Sequence, residues 1–222
     1  IKAHDDLWGG NVEGYDDWIN HPDFTDPYWD EGCWGDLKNA IPNIDVPVAI
    51  FGGYYDHHYE GTIEAWNMLS EETRAKSHMV LGPWNHSFGF ATSWKGGENY
   101  TYDKDTDTFN WFYSILVNDE VPATGVDAYV VGEDEWVHLD SFPMESDGEL
   151  TYYLTTDPTE SDGTAYHLAS EPAAEADSVT YAYDPTDPKL TEGGECLLTT
   201  GELRGSNELS PAGYRDDVIS FI

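Results

Sequence analysis

Positive charge is the scarcest property of this chain: nine Lys and Arg stand against 44 Asp and Glu in 222 residues, a formal net charge of -35. A field of that sign repels phosphate backbones and anionic headgroups, so nucleic acid and membrane surfaces are excluded as partners. Cysteine is nearly as sparse. Cys33 and Cys196 are too few for a disulfide framework and too far apart for a zinc knuckle, and both read as buried or free thiols. No stretch reaches the roughly 20 apolar residues of a membrane-spanning helix, and nothing resembles a signal peptide. Two motifs are also missing. Without a D-x-D-x-D-G loop the acids read as a solvated surface rather than calcium ligands. Without G-x-S-x-G there is no nucleophile elbow in these residues. The acidity suits either a high-salt medium, which screens the repulsion, or a hydrated coat that keeps the molecule in solution.

What is present suffices for a core: 39% hydrophobic residues, with 9 Trp, 15 Tyr and 8 Phe. Residues 1–40 hold no sustained period and read as short helices and loops; Trp18, Trp29 and Trp34 there are expected to pack between elements. The apolar run VPVAIF, 46–51, predicts a strand buried on both faces. EGTIEAWNML, 60–69, sets Ile63, Trp66 and Leu69 on one side of a short helix, and SHMVL, 77–81, predicts a second strand. Strand, helix, strand is the unit of a parallel sheet. DTFNWFYSILV, 107–117, places Phe109, Phe112, Tyr113 and Leu116 at helical spacing and predicts a buried helix.

Beyond residue 124 the pattern shortens to period two. VDAYVVG, EWVHL, LTYYL, SVTYAY and DVISFI are separated by Gly, Pro, Asp and Ser clusters, the grammar of a β-sandwich. The expected organisation is a remnant of loops and helices over 1–40, an α/β unit over 41–123, and an all-β unit over 124–222. A first residue other than Met and a last stretch that reads as strand predict that the sequence is a piece of a longer chain.

The chemistry concentrates where the two predicted strands end. The first leaves its sheet as FGGYYDHH, 51–58, and the second as GPWNH, 82–86. In open α/β sheets ligands bind at the carboxyl ends of the strands. If the strands are neighbours, Asp56 and His86 meet there, and an acid on imidazole Nδ1 leaves Nε2 free to take a proton from a nucleophile. The order acid then histidine matches α/β-hydrolases, in which the serine comes earlier. Ser87 follows His86 with no elbow of its own and is not assigned as nucleophile.

These stretches, with HPDFTDPYW at 21–29, TFNWFYSIL at 108–116, VVGEDEW at 130–136, YDPTDPKLTEGG at 183–194 and RDDVISFI at 215–222, resemble the CocE/NonD serine hydrolases. The resemblance implies the C-terminal part of an α/β-hydrolase domain with a cap remnant, followed by a jelly-roll β-sandwich. It implies Asp56 as triad acid and His86 as general base, with Tyr55, His58 and Trp84 lining the substrate pocket. The substrate would be a small-molecule ester, an amino acid ester or an X-Pro peptide, and the partner the N-terminal remainder of the same hydrolase. No cofactor is implied, and the 222 residues alone should not turn over substrate.

Blander readings stand beside these. Asp56 can cap the helix that begins near residue 60, and His86 can be a loop histidine bonded to a carbonyl. His57, His58 and Glu60 with Asp56 carry zinc-ligand chemistry, but adjacent residues on an extended chain point to opposite sides, so no metal is expected. The rival function is a non-catalytic β-sandwich module that binds carbohydrate or protein. Low cysteine use leans the compartment toward the cytoplasm.

Overall fold

The computed structural model describes residues 2–10, 14–86, 97–122, 124–144, 148–159, 165–175, 177–189, 194–195, 215 and 217–222. Cys196 and Ser87 lie outside them; Cys33 is exposed and free. No helix among them is long and apolar enough to cross a membrane.

Three short helices come first, α1 (Lys2–Trp8), α2 (Tyr15–Asn20) and α3 (Gly32–Ala40), with 3-10 turns at Pro27–Asp30 and Ile41–Asn43. Trp29 is held, its indole N–H donating to the His21 carbonyl at 2.9 Å and its ring edge-on to Trp34. Trp18 and Trp34 remain largely exposed, against the expectation of packing, because helices this short bury little of either ring.

A four-stranded mixed sheet follows in the order β1 (Ala49–Gly53), β2 (His78–Gly82), β3 (Gly125–Val130), β4 (Glu135–Leu139). β1, β2 and β3 run parallel and β4 returns antiparallel. Between β1 and β2 lie α4 (Tyr59–Met68) and α5 (Glu71–Arg74), the predicted crossover. Leu69 is extended and ends α4, and the Ser70 hydroxyl accepts from Thr73 N–H to start α5.

Period two sorts the buried strand β2 into two faces. Met79 and Leu81 lie opposite Val126 and Ala128 and pack under Trp66 and Leu69, the crossover side. Met79, Leu81 and Val126 each contribute about 1.5–3 kcal/mol by leaving water. On the other face His78 lies against the Trp111 ring of α6 (Lys104–Tyr113) and bonds Asp127 at 3.0 Å. Both faces of β2 are covered, and all five of its residues are buried. β1 is the edge strand of the described sheet and only partly buried over Ala49–Phe51, rather than buried on both faces, and Val46 lies outside it, exposed.

Two further expectations change. α6 forms as predicted and runs on into a π-turn, Ser114–Asn118, but Phe109, Phe112, Tyr113 and Leu116 are exposed and only Trp111 is buried. Its contact with the sheet is made through Trp111, a different face from the one that apolar spacing selects. The first two β-rich runs do not open a separate unit at residue 124: β3 and β4 extend the α/β sheet, since alternation predicts a strand without naming its sheet. A second sheet of β5 (Tyr153–Pro158), β6 (Ala165–Ala169) and β7 (Ser220–Phe221) follows, with β5 antiparallel and β7 parallel to β6. SVTYAY forms no strand there.

The turn from β3 to β4 also anchors the chain that returns after the His86 loop. Asp134 adopts φ 56°, a left-handed conformation that Asp tolerates. Its carboxylate accepts the N–H groups of Glu98 at 2.9 Å and Asn99 at 3.0 Å, and the Tyr129 hydroxyl. These bonds, Glu98 first, hold its pKa below the ordinary carboxylate value. A depressed folded pKa gives stability that is complete above the unfolded value of about 3.9 and lost as pH falls through the folded one. Thermal melts from pH 6 down to about 2.5 should therefore show the native protein losing more Tm than Asp134→Asn, which keeps the left-handed turn but cannot ionise. Parallel curves for the two proteins would count against this anchor.

Candidate active site

The two strand ends stay zipped beyond the sheet. Gly53 lies level with Gly82, Tyr54 N–H donates to the Gly82 carbonyl at 2.9 Å, and Tyr55 N–H to the Trp84 carbonyl at 3.0 Å. Glycine is required at position 53 because a Cβ there would stand 2.2 Å from the Trp84 carbonyl oxygen. The close approach brings the acid loop against the histidine loop.

The chain then turns: Asp56 N–H bonds the Gly53 carbonyl and Tyr59 N–H bonds that of Asp56. Asp56 is 6% exposed. Its Oδ2 lies 3.0 Å from His86 Nδ1, and its Oδ1 lies 3.2 Å from the same nitrogen. Oδ1 also accepts the His58 backbone N–H at 2.9 Å and lies 3.2 Å from His57 Nδ1. The capping reading of Asp56 does not hold, since His58 is the N-cap of α4 and no side chain caps that end; the carboxylate instead closes the turn before the helix and orients an imidazole. The His86 side chain is 44% exposed, so the ring is held at Nδ1 with an open side. A proton acceptor that is fixed in orientation and open to solvent is what general-base chemistry needs.

The other predicted residues divide. Tyr55 is half-buried and tied by its backbone. Its neighbour Tyr54 belongs to the core, its hydroxyl donating to the Tyr129 carbonyl and its pKa pushed up to about 12 by burial. His58 is exposed beside His86, with ring centroids 5.2 Å apart. Trp84 differs from the expectation of a pocket wall. It is 4% exposed, its indole N–H donates to the Tyr100 carbonyl, and its ring packs with Tyr102 and Trp136. That aromatic cluster braces the histidine loop from beneath.

Sequence reasoning passed over His57. Residues 57 and 58 were expected to diverge as on an extended chain, but they sit in a turn, with His58 at φ -95° and ψ 6°. Their rings lie 3.7 Å apart, and His57 is 5.1 Å from the His86 ring. The signal was available in the glycine pair ahead of them, which marks a turn.

Residues 2–88 match the family model described as X-Pro dipeptidyl-peptidase (S15 family). That segment contains both Asp56 and His86. Over 218 residues the chain is 25% identical to cocaine esterase of Rhodococcus sp. (strain MB1 Bresler), an alignment covering 91% of this chain and 36% of that protein. The chain thus spans about a third of the length of the curated relative it matches. The family match and the relative both point where the motifs do, toward similarity with the CocE/NonD hydrolases.

Proposed function

We propose that this chain carries the acid and the base of a serine hydrolase acting on acyl esters or X-Pro peptide bonds. The observation that carries the reading is the Asp56–His86 contact at 3.0 Å, with the acid buried and the imidazole open. In the reaction a serine Oγ attacks the substrate carbonyl while His86 Nε2 takes its proton. The same proton passes to the leaving alkoxide or amine as the tetrahedral intermediate collapses to an acyl-enzyme. Water then repeats the sequence and releases the acid. Asp56 is the positioning residue, holding the ring and balancing the imidazolium. The serine belongs to a segment outside these 222 residues, which contain no elbow motif, so they do not turn over substrate by themselves. Under the same reading residues 1–40 belong to a cap over the site, and β5 to β7 belong to a jelly-roll domain.

The direct test is covalent. A serine-directed fluorophosphonate should label the full-length protein at one serine per chain, read by intact mass and peptide mapping. Absence of label in folded protein would remove the hydrolase reading.

A further inference from the structure

Two histidines stand beside the proposed base with no part in the triad. His57, His58 and His86 are all exposed, and each offers a ring nitrogen within 4.8 Å of the other two. We propose that these three form a binding site for a borderline divalent cation, zinc foremost, and that its occupancy switches off the base.

Three features support a site over a chance gathering. The ligand type is right, since neutral imidazole is a preferred donor for zinc and its neighbours in the transition series. The support behind the ligands is present as well: Asp56, 6% exposed, lies within 3.2 Å of Nδ1 on both His57 and His86. A carboxylate on one ring nitrogen fixes the tautomer that leaves the other nitrogen's lone pair outward, the arrangement that surrounds metal-bound histidines. Long-range charge helps too, because a molecule of net charge -35 concentrates cations around it.

The geometry needs little adjustment. Tetrahedral zinc with Zn–N bonds of about 2.0–2.1 Å sets its nitrogens about 3.4 Å apart. Exposed rings reach that by rotating about their side-chain bonds, and the His57 and His58 rings already lie 3.7 Å apart between centroids, tilted by 44°. Three protein nitrogens leave a fourth position for water.

The consequence for catalysis follows from one lone pair. His86 Nε2 either ligates the ion or accepts the serine proton, so bound metal and turnover exclude each other. This second half rests on the hydrolase reading; the binding site itself does not.

The experiment is zinc titration of the full-length protein against a chromophoric chelator, with hydrolysis of an activated ester followed with and without EDTA. The expected result is one zinc per chain, affinity falling about 100-fold or more in His57→Gln/His58→Gln, and turnover lost on zinc addition and restored by EDTA. Circular dichroism verifies that the double variant is folded. Zinc uptake that is absent, or indifferent to the two substitutions, overturns the site. Turnover that persists with one zinc bound overturns the competition. Histidine-dependent zinc binding in a protein inactive even in EDTA leaves the metal site standing and removes the hydrolase assignment.

Discussion

His86→Ala in the full-length protein is expected to lower kcat by about 10⁴-fold or more, about 5 kcal/mol of transition-state stabilisation. Among the described residues, neither neighbouring histidine is placed to take over as base. His57 and His58 are close, at ring separations of 5.1 and 5.2 Å from His86, but a base must be held within hydrogen-bond reach of the serine, and a shift of an ångström is already costly. The exposed ring contributes little packing, so the variant should melt close to the native protein. The check is kcat and KM on an activated ester beside a thermal melt. A rate near that of the native enzyme, with the fold intact, would sink the assignment of His86.

Asp56→Asn is the second large effect, about 10³–10⁴-fold in kcat with a smaller change in KM. The amide keeps the size and retains one oxygen for the His58 N–H, now bonded at 2.9 Å. It cannot balance an imidazolium, and its NH₂ can donate to Nδ1, fixing the tautomer that blocks Nε2. A merely structural role for Asp56 would predict a lowered Tm with kcat preserved. The positioning role predicts the opposite pattern and a changed pH–rate profile, so kinetics across pH together with melting separate the two.

Much of the α/β unit was legible because its signals are local. The short apolar stretch at β2, the helical spacing of Ile63, Trp66 and Leu69, and the glycines that end each strand all act within a few residues. Pairing of β1 with β2 followed from a single crossover, and the meeting of Asp56 with His86 followed from that pairing. What sequence could not supply was partnership at a distance. The spacing of Phe109, Phe112 and Tyr113 marks an apolar stripe but not whether anything covers it, and the described fold leaves it open. Alternation in 126–139 marks strands but not that they join β2. The resemblance placed Trp84 on a pocket wall, whereas Tyr102 and Trp136, remote in sequence, pack against its ring. The histidine cluster was missed for a local reason, an extended backbone assumed where the chain turns.

The level ending of β1 and β2 has a consequence for how this site can vary. Gly53 and Gly82 are ladder partners, and from that common start line Asp56 is three positions along and His86 four. Asp56 sits in a tight turn closed by its own N–H on the Gly53 carbonyl, so one residue more or fewer there re-aims the carboxylate. Insertions or deletions in either short arm would therefore uncouple the pair outright, so length polymorphism among functional homologues should be confined to segments past the histidine or before the glycines.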